Sequence, residues 1–282
     1  MTQVTRLAVL GSPILHSKSP ALHSAAYSAL GLDWSYEAIE VRSGELSALI
    51  ETLDDDWRGL SLTMPLKREV LPLLSHHDEM VALSEAANTV LVTESGLHGF
   101  NTDIAGIVAA FHGAGVDLMS NVRLLGGGAT AGSALIAAAE LGAARAVVSV
   151  RTPAKASGLV ALGERLGVVV SVETLGVFDH GFPADVVIST LPSSADTEIA
   201  FPEGLMATSV YFDVTYDPWP TPMAAAWAMS GGRIIPGIEM LVAQALVQVR
   251  IFVHRDPLRE LEGEAAVLEA MRTAVGLPPV GV

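Results

Sequence analysis

Apolar residues are spaced along this chain in two ways, and the two alternate. Short blocks at Arg6–Leu10, Trp34–Val41, Gly59–Thr63 and Asn88–Thr93 read as strands. Between them the apolar positions recur at helical spacing. A helix is predicted after Ser19-Pro20, with Ser19 as cap and Pro20 at its first position, and another over Glu45–Leu53. A turn at Ser95-Gly96 leads to Gly99-Phe-Asn-Thr-Asp103, and a helix follows near Ile104–Gly113. The second half repeats the alternation with more deeply apolar strands: Val122–Leu125, Ala143–Val150, Val168–Thr174, Asp185–Thr190, Val210–Val214 and Gly232–Ile235. A strongly apolar helix is predicted near Glu239–Val253, and a capping helix around Leu258–Ala274.

Strands alternating with helices predict an α/β protein with mostly parallel sheets. The division expected is an N-terminal α/β substrate domain, a Rossmann-type doubly wound nucleotide domain inserted after it, and a C-terminal helix returning to the first. In residue terms these are 1–103 plus 239–282, and 104–238. Substrate is expected to meet cofactor in the cleft between them.

Composition narrows the partners. Half of the 282 residues are apolar and only 5% aromatic, which suits close packing of helices on parallel strands. The net charge of −15 argues against nucleic acid or an anionic membrane as partner. An anionic substrate must therefore be held by local basic residues and backbone donors. The absence of cysteine excludes disulfides, thiolate metal sites and cysteine nucleophiles. His76 and His77 are adjacent, so on a helix they would not share a face; the other histidines lack ligand spacing, and no metal is expected. The apolar run at Leu7–Leu10 is too short for a signal core, and no uncharged apolar run of about eighteen residues occurs. A soluble cytoplasmic protein without a membrane span is expected.

The most informative segment is Val122-Arg-Leu-Leu-Gly-Gly-Gly-Ala-Thr-Ala-Gly-Ser133. Gly126, Gly128 and Ala131 stand at G-x-G-x-x-A spacing, with Gly127, Ala129 and Thr130 between them. Gly126 permits the sharp turn, Gly128 the approach of a pyrophosphate, and Ala131 close packing of helix on strand. The helix that follows turns unpaired N–H groups toward the anion. An NAD site would place an acid at the end of the next strand to hold the ribose 2′-hydroxyl. This chain has Val150, Arg151 and Thr152 there, with Lys155 one turn later. A guanidinium pairs with a 2′-phosphate where an acid would repel it, so the cofactor is read as NADP(H).

Two further groups carry chemistry. Lys67 follows the strand Gly59–Thr63, and Asp103 ends the Gly99–Asp103 segment. If those strands are parallel neighbours, both side chains lie at one sheet edge, where α/β sites gather. A lysine beside a carboxylate can polarise a carbonyl oxygen and pass it a proton as hydride arrives. Ser17 and Ser19, just ahead of a helix start, could hold a carboxylate or could simply cap the helix.

Taken together these segments resemble the shikimate dehydrogenase family along nearly the whole chain. Gly11-Ser-Pro-Ile-Leu-His-Ser-Lys-Ser-Pro20 is similar to its substrate-carboxylate loop, which implies Ser17 and Ser19 as ligands. Gly59-Leu-Ser-Leu-Thr-Met-Pro-Leu-Lys67 is similar to G-x-N-V-T-x-P-x-K, implying Thr63 on substrate and Lys67 as the catalytic lysine. Ala87-Asn88-Thr89 and Asn101-Thr102-Asp103 resemble A-x-N-T and N-T-D, implying Asn88 as a ligand and Asp103 as the partner of Lys67. In the cofactor half, Gly126–Ala131 resembles the family's phosphate turn, and Arg151, Thr152 and Lys155 fall on its 2′-phosphate clamp. Ser189-Thr190-Leu191-Pro192 occupies a turn beside the nucleotide. Asp213–Pro222 resembles D-x-x-Y-x-P-x-x-T-P, with Tyr216 near substrate and nicotinamide. Gly237–Gln244 resembles G-x-x-M-L-V-x-Q, with Gly237 and Met240 near the nicotinamide and Gln244 on substrate.

There are three departures. Ser61 stands where the family usually has Asn, which bears on substrate grip; Val150 replaces a common Asn, and Pro236 a common Asp. The resemblance implies reversible NADP-dependent reduction of 3-dehydroshikimate to shikimate, a step of aromatic amino acid and chorismate biosynthesis, by a monomer or homodimer. A quinate/shikimate dehydrogenase using NAD(P), with Ser61 leaving room for an extra hydroxyl, and a non-catalytic NADP-binding sensor are the alternatives.

Overall fold

The computed structural model describes residues 4–178, 181–192 and 199–279. The chain divides into two compact units, Met1–Thr102 with Leu241–Val282, and Asp103–Met240.

The first unit opens with β1 (Thr5–Gly11), α1 (Ser19–Ala29), β2 (Trp34–Glu40), α2 (Leu46–Ile50), β3 (Trp57–Leu62), α3 (Leu66–Glu69), β4 (His76–His77), α4 (Glu79–Ser84), β5 (Thr89–Thr93) and β6 (Gly96–Phe100). The sheet order is β2-β1-β3-β5-β6-β4. It is mixed rather than wholly parallel, because β5 runs antiparallel to both β3 and β6. The strands ending at Thr63 and before Asp103 are therefore not neighbours. The His76-His77 pair forms a short strand opposite His98 and Gly99, which its polar sequence did not announce. The cap of α1 lies one residue earlier than expected, at Lys18, with Ser19 already helical. The α2 helix stops short of Leu53. Thr52 Oγ1 donates to the Leu49 carbonyl at 2.7 Å, and Leu53 N to that of Ile50, closing the end as tight turns.

The second unit contains α5 (Asp103–Gly113), β7 (Asn121–Leu125), α6 (Ala129–Glu140), β8 (Arg145–Val150), α7 (Ser157–Leu166), β9 (Val169–Thr174), β10 (Val186–Ser189), α8 (Glu203–Thr208), β11 (Val210–Asp213), α9 (Pro222–Met229) and β12 (Arg233–Pro236). All its strand pairs are parallel, in the order β12-β11-β10-β7-β8-β9. That is the doubly wound arrangement, with its reversal of strand order between β7 and β10.

The chain then returns to the first unit through α10 (Gly237–His254) and α11 (Glu264–Ala274). The α11 helix starts later than Leu258, at Glu264, directly after its cap Gly263, which takes a positive φ of 63°; Arg255, at the same φ, follows the end of α10. A two-pronged Arg250–Glu264 ion pair joins α10 to α11. Period-2 alternation along β1 explains why these helices are needed. Leu7 and Val9 face a cluster containing Leu22, Tyr27, Val242, Ala245, Val249, Phe252 and Val267, whereas Ala8 and Leu10 face Leu60, Leu62, Leu66 and Val70. By length and composition α10 could cross a membrane, but 61% of it is buried in the protein, and this core accounts for its apolar face.

Candidate active site

In the second unit the candidate cofactor residues gather at the switch point. The register sets Leu125, the last residue of β7, beside Ser189, the last of β10. Thr190 continues that junction: its N–H and its hydroxyl both donate to the Leu125 carbonyl, at 2.8 and 2.9 Å. Gly126 follows with φ of 109°, and its N–H donates to the Ser149 carbonyl at 3.0 Å. A Cβ on Gly126 would lie 2.5 Å from Thr190 Oγ1, and one on Gly127 would lie 3.0 Å from Val150 Cγ1. Glycine is thus demanded at Gly126 by the protein itself. Gly128 differs: it caps α6 in an extended conformation, and a Cβ there would meet nothing within 4 Å. No packing requires glycine at Gly128. The open space in front of a twelve-residue helix N-terminus is the kind of cradle a pyrophosphate occupies. Ala129 and Thr130 are half-exposed at that N-terminus, and Ala131 is buried against the sheet.

Arg151, Thr152 and Lys155 are all exposed just beyond β8, and Lys155 N donates to the Thr152 carbonyl at 2.9 Å, turning the segment back on itself. These residues fit NADP(H). Gly126→Ala is expected to weaken NADPH binding by about tenfold or more and to lower Tm, because a side chain at this φ costs roughly 1–2 kcal/mol before the Thr190 clash is counted. A fluorescence titration of NADPH checks it.

The end of β8 is also braced from below. Arg123, 1% exposed on β7, pairs with Glu173 on β9, and the same carboxylate accepts from Ser149 Oγ on β8. The Arg123 guanidinium lies 5.1 Å from the Phe178 ring. An arginine inside an otherwise apolar strand was the sequence signal for this bracing, and its partner could not be read from the pattern.

The loop carrying Tyr216 is pinned at both ends. The buried Asp213 carboxylate accepts from Tyr211 Oη at 2.8 Å, Thr215 N at 3.0 Å and Thr221 Oγ1 at 2.9 Å. Thr221 in turn caps α9 by accepting from Ala224 N. The two ends of the D-x-x-Y-x-P-x-x-T-P pattern are therefore bonded to each other, leaving Tyr216 half-exposed between them. Any Cβ on Gly237 would collide with the carbonyls of Val214 and Asp213, so glycine there is fixed by close backbone approach. Met240, in the same helical turn, is buried.

In the first unit the antiparallel β5 does what a parallel neighbour was expected to do. Its N-terminal end enters between the C-terminal ends of β3 and β6. Leu62 N donates to the Asn88 carbonyl at 2.7 Å, and Asn88 N to that of Phe100 at 3.1 Å. Ala87 N donates to the Lys67 carbonyl at 2.8 Å, and Thr63 N to that of Leu10 at 2.9 Å. Thr63, Lys67, Asn88 and Thr102 thus share one edge of the sheet, and Asp103 is the next residue, buried at the first turn of α5. Lys67 and Thr63 are half-buried. The Ser17 hydroxyl accepts from Ser19 N at 3.3 Å, so it does help to cap α1, and Ser19 is buried.

Behind that edge lies a buried polar network. Asn88 Nδ2 donates to Thr102 Oγ1 at 2.9 Å and to Gln244 Oε1 at 3.2 Å, while Asn88 Oδ1 accepts from Thr102 N at 2.9 Å and Thr89 Oγ1 at 2.8 Å. Ser61 does not face outward: it is 4% exposed, accepts from Tyr36 Oη at 2.7 Å and donates to Gln248 Oε1 at 2.8 Å. Gln248 also bonds Thr89 and His23. Gln248 was missed in the sequence, although it lies one helical turn after Gln244 in a nearly apolar helix.

His23 is wholly buried and stacked on Tyr36 at 4.0 Å, and burial pulls its pKa down to about 3. The unfolded chain therefore binds a proton at this side chain between roughly pH 6.5 and pH 3 that the folded chain refuses. Its contribution to stability is complete above pH 6.5 and declines on acidification, by at most about 1.4 kcal/mol per pH unit. Calorimetry should show Tm falling between pH 6.5 and 5, and falling less steeply in His23→Asn.

Comparison with known proteins agrees with this geometry. A family model described as the shikimate dehydrogenase substrate binding domain matches residues 9–90. A Rubrobacter xylanophilus protein named shikimate dehydrogenase (NADP(+)) is 34% identical over 278 residues, covering 93% of this chain and 97% of its own. The crystal structure of Mycobacterium tuberculosis shikimate dehydrogenase superposes with a TM-score of 0.82 at 38% identity, over 95% of this chain and 99% of that one. That of shikimate 5-dehydrogenase from Thermus thermophilus, in complex with NADP(H) and shikimate, gives 0.80 at 29% identity, over 96% and 100%. With likeness running through both units and nearly the full length of each relative, the chain belongs to the shikimate dehydrogenase family.

Proposed function

We propose that this protein is an NADP-dependent shikimate dehydrogenase, interconverting 3-dehydroshikimate and shikimate. The observation that carries the reading is the edge of the first sheet. There main-chain bonds hold Lys67 and Asn88, and side-chain bonds join Asn88 to Gln244 and to Thr102, the residue preceding Asp103, in a chain whose other unit carries the open glycine turn and the exposed Arg151 and Lys155.

In this reading the Asp103–Met240 unit binds NADP(H) and the other binds substrate. Ser17 and Ser19 hold the substrate carboxylate at the start of α1. Thr63, Asn88, Asp103 and Gln244 read the ring hydroxyls, with Tyr216 as a further substrate ligand. Lys67 and Asp103 hold the proton at the ring oxygen, delivering it to the ketone on reduction and removing it from the alcohol on oxidation. Arg151, Thr152 and Lys155 hold the 2′-phosphate, and Gly126–Ala131 with Thr190 hold the pyrophosphate; Gly237 and Met240 border the nicotinamide. When bound, the cofactor supplies or accepts the hydride. The protein supplies orientation and charge.

Room beside Ser61 was the reason to consider quinate, and in the folded chain that hydroxyl is engaged by Tyr36 and Gln248. Steady-state assays crossing shikimate and quinate with NADP⁺ and NAD⁺ test the proposal. Shikimate with NADP⁺ should lead in kcat/KM by about tenfold or more, in line with charge-assisted recognition of the extra phosphate. Equal or better use of NAD⁺, or of quinate, overturns it.

A further inference from the structure

The way the Asn88 amide faces decides what it offers a substrate hydroxyl, an N–H or a carbonyl oxygen. Two donors set that orientation: Thr102 N, which bonds Asn88 Oδ1 directly at 2.9 Å, and Thr89 Oγ1, which is itself set from a distance. Thr89 Oγ1 can give its single hydrogen to Asn88 Oδ1 because it receives one from Gln248 Nε2, at 2.9 Å. Gln248 cannot turn over. Its Nε2 also faces the Asn88 main-chain carbonyl at 3.2 Å, a pure acceptor. Its Oε1 faces the Ser61 hydroxyl at 2.8 Å and His23 Nε2 at 3.1 Å. Buried neutral, His23 carries its hydrogen on that nitrogen and accepts at Nδ1 from Tyr27 Oη, at 3.1 Å. Tyr36 Oη donates to Ser61 Oγ, which directs the serine hydrogen to Gln248. The donors of this series therefore point one way, from Tyr27 and Tyr36 through Gln248 and Thr89 to Asn88 and on to Gln244, with Thr102 N joining at Asn88 Oδ1. Hydrogen bonds aligned in this manner polarise one another, and a reversed amide within the series would leave buried groups unsatisfied.

We propose that Gln248 is a positioning residue for substrate recognition, holding the Asn88 amide through Thr89 jointly with the direct Thr102 N bond, with Ser61 holding Gln248 from its other side. The inference rests on Asn88 being a substrate ligand, as in the function proposed above. Its test is a set of kinetic measurements on the wild type, Gln248→Met, Asn88→Ala, the double variant and Ser61→Ala. Gln248→Met should raise KM for shikimate by about tenfold, the worth of one misaligned buried hydrogen bond, and leave KM for NADP⁺ within about twofold. In the Asn88→Ala background the same change should add less than about twofold, since the orientation it controls is gone. Ser61→Ala should raise KM for shikimate in the same direction by a smaller factor.

A Gln248→Met penalty that survives in full without Asn88, or that moves both KM values together, overturns the inference in favour of a purely structural role. Should Gln248→Met fail to fold, an unchanged shikimate KM in Ser61→Ala overturns it instead. A wild type that leaves shikimate untouched while binding NADPH overturns the function reading itself, which separates the two failures.

Discussion

Lys67→Ala is expected to lower kcat by roughly two to four orders of magnitude, the range for loss of a positioned acid–base group. Lys67 lies in the first turn of α3, behind the Thr63–Pro65 turn, with its main chain fastened to Ala87. Two neighbours fix that turn: Ser12 N donates to the Met64 carbonyl at 3.0 Å, and Gly11 packs so closely that a Cβ would press on Thr63 and lie 2.9 Å from the Met64 carbonyl. The ammonium is thus delivered by a stiff support, and alanine removes the charge without disturbing it. Affinity for NADPH, which the proposed function assigns to the other unit, should change less than about twofold. Asp103→Asn should lose activity by a comparable factor, and the double variant should be hardly worse than either single one, as expected of two groups that share one proton in the proposed function. Turnover within tenfold of wild type in Lys67→Ala would refute the assignment.

The second large effect concerns the choice of cofactor. Arg151→Ala combined with Lys155→Ala should lower kcat/KM with NADPH by about a hundredfold and leave kcat/KM with NADH within about threefold. A charge-assisted hydrogen bond contributes roughly 1.5–3 kcal/mol, and exposure of both side chains places each contact near the lower end. The expected loss should shrink as salt is raised, since exposed charges are screened. Bracing by Arg123, Glu173 and Ser149 keeps the strand end in place when the two charges are removed, so Tm should hold. An equal loss with both cofactors would mean that these residues position the nucleotide as a whole rather than its 2′-phosphate.

Much of this was legible in the sequence because it is local. The doubly wound half announces itself through apolar blocks, a glycine turn and a basic strand end within one stretch of chain, and its strands follow the expected order. In the first half, period-2 and period-3.6 patterns marked most elements, but direction is not a property of a strand's own residues. Nothing in Thr89–Thr93 says that it runs against β3, and the convergence of Lys67 with Asn88 depends on that. Ser61 is the clearest case of what a pattern cannot show. Its position suggested contact with substrate, whereas Tyr36 and Gln248, far away in sequence, draw its hydroxyl inward. His23 and Gln248 are single polar residues on apolar faces, and only the pairing made in three dimensions explains them. The late start of α11 is set by Gly263, which caps it with a positive φ, whereas the apolar positions that suggested a helix begin already at Leu258.

Segments before residue 103 and after residue 240 complete the same unit, and this has a consequence for how the protein is made. Once residue 240 has left the ribosome, every residue of the second unit is free to close around its own core. The first unit is still missing Val242, Ala245, Val249, Phe252, Val267 and Met271, which cover Leu7, Val9 and Tyr27. The five larger of these side chains each bring roughly 1.5–3 kcal/mol on burial, so β1 lacks much of its cover until α10 and α11 are in place. Until they arrive the apolar face of that sheet lacks its cover, the kind of transient surface that makes an incomplete chain prone to aggregate.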